Sequence, residues 1–233
     1  MWKLFSLDSD YNRFLNIIQW PVILILVAAN SIRGGLERTA AIIMFWLFMF
    51  ITLVVGTEYV KTKRIRLLAG LPLPVRTLSL YRCFGIVIGW STWMALLLFS
   101  SLISRGGHLG LDYLWWICTK TGSIFIFAGG INLATSMCFF VRDRKLGKCL
   151  MYWIVCPFLW LVSCIAGPFL YLFISETAYG QHGQRIFWTP LSEIVRTVPG
   201  AFGVLLAGFI FLALDAYVFE RRRSFVEESI YPS

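Results

Sequence analysis

The chain has 233 residues and a formal charge of +9, with 58% of its residues hydrophobic and only 14% charged. Water-soluble domains run nearer ~45–50% apolar and ~25% charged, so an ordinary soluble domain is excluded. The charges sit in clusters separated by long uncharged runs, as in a chain whose stretches of ~20 residues lie in hydrocarbon.

Six stretches meet that length and polarity test. The first dozen residues, with Trp2, Leu4, Phe5 and Tyr11, read as a short helix lying on a membrane surface. Spans then follow over about 14–30, 39–55, 83–103, 113–140, 149–174 and 198–218. Val27 and Ala29 fit the small-residue pattern of a signal-peptide cleavage site. Asp8, Asp10, Asn16 and Gln19 argue against one, because they dilute the basic start and interrupt the apolar run. Each span closes its own backbone hydrogen bonds only as a helix, and Pro21, Pro157 and Pro168 predict kinks inside three of them. The expected fold is an all-α integral membrane protein of about six transmembrane helices in a single domain over 1–233. No repeat, linker or second domain stands out.

Orientation follows from Lys and Arg. With the N-terminus inside, the inner segments carry fifteen basic residues and the outer loops five: Arg33, Arg38, Arg105, Arg185 and Arg196. That bias is a positive-inside signal and predicts both termini in the cytoplasm. It also accounts for the net charge through anionic lipid headgroups, so nucleic acid is not expected as a partner. The six cysteines lie in or beside apolar segments with no C-x-x-C pair, and they read as buried free thiols.

Catalytic and nucleotide motifs are missing. Gly147-Lys148 is followed by Cys149 and lacks the upstream glycine of a phosphate loop; no H-E-x-x-H or G-x-S-x-G occurs, and no metal set is expected. Glu227-Glu228 reads as a solvated tail pair. Polar residues within the spans are the usual pointers to a transport pathway, and here they are Lys120, Asn132 and Asp215. Lys120 is expected to snorkel to the outer headgroups, and Asp215 to pair with Arg221 or Arg222. Small residues predict helix packing at Gly85 with Gly89, at Gly130 with Ala134, and at Gly203 with Ala207.

The inner stretch over 58–82 is the most informative. Glu58, Lys61, Lys63, Arg64 and Arg66 lead into Leu67 and Leu68, and Gly70 with the Leu71-Pro72-Leu73-Pro74 run then stops the short basic helix. Arg76 and Arg82 follow as a new helix enters the third span. A basic helix with an apolar side and a rigid exit suits docking onto another surface, and anionic lipid is the simpler alternative. This run resembles the loop between the second and third helices of type-2 ATP-binding-cassette permeases. Trp188-Thr189-Pro190-Leu191-Ser192 with Arg196 and Pro199-Gly200, and the ending Tyr217-Val218-Phe219-Glu220-Arg221-Arg222, are similar to later segments of that family. The chain departs from it in lacking a sizeable outer domain and in its very short second inner loop.

The resemblance implies an exporter permease in the plasma membrane, a bacterial inner membrane, working as a homo- or heterodimer with a second permease subunit. It also implies a separate ATPase subunit that binds ATP and magnesium, with no cofactor held by this chain and no catalysis of its own. The loop from Glu58 to Arg76 would then be the coupling helix. The residues alone leave open two other classes: a membrane scaffold or assembly factor, and a membrane-embedded enzyme acting on lipid.

Overall fold

In the computed structural model, the described residues are 13–60, 75–107, 110–139, 146–174, 193–195 and 197–221. They form six long helices and no strand: α1 (Arg13–Arg33), α2 (Glu37–Val60), α3 (Val75–Ser104), α4 (Leu111–Phe139), α5 (Leu146–Phe169, continuing as a π turn over Leu170–Ile174) and α6 (Val198–Arg221). Five of the six expected stretches are extended by three or more residues, and α4 gains two at its start and loses one at its end. The largest difference is in α3, which starts eight residues before the expected span. Four stretches, Ser79–Ser104, Tyr113–Met137, Ile154–Leu172 and Val198–Glu220, are long and apolar enough to cross a membrane; α1 carries a shorter apolar run over Ile17–Arg33.

The helix ends have local causes. Gly106 and Gly107 both take positive φ (62° and 87°), a conformation that glycine adopts without a Cβ clash. The Gly107 N–H then reaches back to the Leu102 carbonyl at 2.8 Å and closes α3. At the start of α6, Thr197 acts as the N-cap: its hydroxyl accepts from the Gly200 N–H at 3.1 Å. Pro21, Pro157 and Pro168 lie within helices as expected, and the π turn begins two residues after Pro168.

Contacts fix how the helices run. The end of α1 meets the start of α2 and the end of α3: Asn30 donates to Ser100 at 2.9 Å and accepts from the Leu36 N–H at 3.1 Å. Ser101 and the Tyr113 hydroxyl, at the start of α4, share a 2.7 Å hydrogen bond, and Arg105 pairs with Glu37 at 2.9 Å. This is the far end of the bundle. The end of α2 and the start of α3 lie at the opposite, near end, where α3 meets the ends of α4 and α6. Neighbouring elements therefore alternate in direction.

The centre belongs to α4. Its residues Gly122 to Ile131 are all buried, and it packs most extensively on α6 and α5. Glycine makes the α4–α6 crossing close. A Cβ on Gly122 would lie 2.6 Å from backbone atoms of Val204 and Leu205, and one on Gly208 would lie 2.7 Å from the Gly122 carbonyl oxygen. Against α4, the aromatic core brings together Phe45 and Phe48 of α2, Trp90 and Trp93 of α3, and Tyr171 of α5. Outward faces remain apolar, with Trp20, Phe158, Ile165, Leu206 and Ile210 all exposed. Such a surface is far too apolar for a monomer in water.

Because the atoms facing Gly208 are backbone, they have little room to shift. Gly208→Val is expected to lose at least ~1–3 kcal/mol of stability, whereas Gly203→Val, which faces open space, stays within about 0.5 kcal/mol. Thermal unfolding of the two variants in detergent separates them.

Candidate functional site

Two buried polar centres stand out, one toward each end. The far centre is Lys120, nine residues into α4 and so ~14 Å along the helix from its start. The expected snorkelling does not occur: Lys120 is fully buried. The side chain turns inward because the bundle offers it better partners than the headgroups. Its Nζ donates to the Tyr171 carbonyl at 2.8 Å. That carbonyl belongs to the π turn of α5, and an ammonium aimed at a backbone carbonyl is a charge-assisted hydrogen bond. The ammonium also lies 4.0 Å from the centre of the Tyr171 ring and 5.1 Å from that of Trp116. Cation–π contacts of this kind reach ~2 kcal/mol when desolvated.

Tyr171 is itself fixed on three sides. Its hydroxyl donates to the Ala41 carbonyl of α2 at 2.7 Å. Its ring stacks on Phe45 at 4.2 Å and meets Trp90 edge-on at 6.0 Å. Trp90 in turn donates from Nε1 to Thr121, beside Lys120, at 3.3 Å. Helices α2, α3, α4 and α5 thus converge on one lysine–tyrosine pair.

The near centre is Asp215 of α6. Its expected partner Arg222 and the side chain of Arg221 lie outside the described residues; among the described ones Asp215 bonds to other helices. Asp215 accepts from Ser136 of α4 at 2.8 Å through Oδ1, and Arg82 of α3 lies 3.5 Å from Oδ2. Arg82 Nη1 also donates to the Ser136 hydroxyl at 3.1 Å, and its guanidinium lies over the Phe219 ring at 4.7 Å. The reason is helical phase. Asp215 points into the bundle and is 1% exposed, so only a basic group already inside can neutralise it. Arg82 is such a group because α3 begins at Val75, which puts Arg82 two turns along a packed helix. One residue further, the Cys83 thiol donates to the Leu212 carbonyl at 3.2 Å.

The other expected positions are scattered. Asn132 is half-buried in α4. Arg76 is exposed in the first turn of α3, and Glu58 lies near the end of α2. Lys61, Lys63, Arg64, Arg66, Leu67, Leu68, Leu71, Pro72 and Pro74 fall outside the described residues. Gly130 does pack closely, its Cα against the Ser163 hydroxyl of α5, and Ala134 is buried. Gly85 and Gly203 face open space, and Gly89 only reaches Phe48 at 4.0 Å. Ala207 is half-buried. The close crossings use Gly122, Gly129, Gly167 and Gly208 instead. Cys83, Cys118, Cys156 and Cys164 are free thiols.

Comparison with protein-family models, with curated proteins and with solved structures gave no match.

Arg82→Met leaves Asp215 buried without its cation and is expected to cost about 3–5 kcal/mol. Adding Asp215→Leu removes the stranded charge and should restore more than half of that loss. Thermal unfolding of the single and double variants in detergent completes the cycle; simple additivity would contradict a direct pair.

Proposed function

We propose that the chain is the permease subunit of an ATP-binding-cassette exporter. It crosses the plasma membrane six times with both termini in the cytoplasm, and it works with a separate ATPase and a second permease subunit. The observation that carries this reading is the Arg82–Ser136–Asp215 network. Arg82 lies two turns into the helix that leaves the basic 58–76 loop, and it binds α4 and α6 directly. A push on that loop therefore reaches the most buried helix and the last helix through charge-assisted bonds, with no flexible segment between Val75 and Arg82 to absorb it.

Three further features support it. The helices alternate in direction, as consecutive crossings require. The outward faces are apolar along α1, α5 and α6. The end of α2 and the start of α3 lie at the end to which the positive-inside count assigns the cytoplasm. On this reading Lys120 lies toward the outer side and Asp215 toward the inner side, so the bundle holds one polar centre per half. The ATPase supplies the nucleotide chemistry that this chain's residues lack.

The test is purification in mild detergent from the native host. The parent chain should bring down a protein with a phosphate loop and ATPase activity, and the double variant Arg64→Glu, Arg66→Glu should lose at least roughly 90% of that association, since reversing two charges at a docking face costs several kcal/mol. A chain that purifies without any ATPase, or reversals that leave the complex intact, would contradict the coupling role.

A further inference from the structure

Helix α5 changes character at Pro168. Below it the packing is close. A Cβ on Gly167 would sit 2.5 Å from the Phe127 Cβ and 3.1 Å from the Ser123 carbonyl oxygen, and Ser163, one turn earlier, lies against Gly130. Pro168 supplies no N–H, and from Leu170 to Ile174 the backbone is in π register. Proline and π turns are the usual places where a helix bends. Beyond this point Tyr171 is held by side-chain contacts: Lys120 on its carbonyl and over its ring, Ala41 on its hydroxyl, and Phe45 and Trp90 against its ring. Side-chain contacts can be released together, whereas backbone-close packing at Gly167 holds the lower part of the helix in place.

We propose that Lys120 and Tyr171 form a clasp, hinged at Pro168 to Leu170, which closes the far end of the bundle. Opening it swings the π turn of α5 away from α4 and α2 and admits access from the outer side. The access role rests on the permease reading above; the clasp itself does not. When Lys120 leaves the Tyr171 carbonyl, the π turn of α5 loses a charge-assisted hydrogen bond to α4. The Tyr171 ring also loses the ammonium that lies against it, so the same event loosens the cover over Ala41.

Hydrogen exchange on the purified full chain tests the clasp without any ATPase. Lys120→Met keeps an apolar stem and removes the donor. Amides over 168–174 should exchange at least about tenfold faster in this variant, while those over 122–131 keep the parent rate. Lys120→Arg, which retains a donor and a cation, should keep exchange over 168–174 close to the parent. Unchanged exchange in Lys120→Met would overturn the clasp, and so would faster exchange over both segments, which would mean general loss of packing.

Access is read with Ala41→Cys and a membrane-impermeant maleimide applied outside intact cells, scored against the chain without that substitution. The introduced thiol should be protected by itself and label at least about tenfold faster when combined with Lys120→Met. Equal labelling in both backgrounds would overturn the access role.

Discussion

Hydrocarbon offers no hydrogen bonds, so each polar group within the spans must find its partner inside the protein. That constraint orders most of what this chain does. Hydroxyls that reach no other helix bond back to their own: Ser31 to Val27, Thr92 to Ile88, Thr119 to Trp115 and Thr135 to Ile131, each four residues earlier. Groups too polar for that solution are drawn between helices. Lys120 and Asp215 both lie on or against α4, which is why the least apolar of the four membrane-length stretches becomes the most buried. The glycines of α4 follow from the same demand, since a helix surrounded by neighbours packs densely only where side chains give way to backbone.

The two polar centres divide the work of holding the bundle. At the near end, Arg82, Ser136 and Asp215 join α3, α4 and α6 through an ion pair and two hydrogen bonds. Toward the far end, Lys120 and Tyr171 join α4 and α5 with α2 and α3 around them. The start of α3 thus bonds both α4 and α6, and α4 also carries the lysine that secures α5. The proposed coupled permease rests on this arrangement. It also gives a reason for two charged side chains in places where an apolar residue would be easier to bury.

Much of the helical plan was legible because apolar length and Lys/Arg clustering are one-dimensional signals. All six helices lie where the runs of Val, Ile, Leu and Phe put them. What was not legible is phase. Lys120 was expected to reach the headgroups because distance along the helix says nothing about which side faces a neighbour. Arg82 falls before the apolar run that starts at residue 83, and nothing in the sequence says that a helix begun at Val75 turns it toward Asp215. The run Thr119-Lys120-Thr121-Gly122-Ser123 did carry a signal: five small or polar residues in a row have no reason to face lipid. Gly122, Gly129 and Gly208 escaped notice for a related reason. They meet across helices, at spacings outside the small-x-x-x-small pattern.

The account depends on which face the near end occupies, since a coupling loop must be reached by an ATPase. Single cysteines placed at Thr62 and at Gly110, in a chain whose own six cysteines are replaced, decide this with an impermeant maleimide on intact cells. Gly110, exposed at the far end, should label directly, and Thr62 only after the membrane is permeabilised. Labelling of Thr62 in intact cells would put the loop outside and contradict the account.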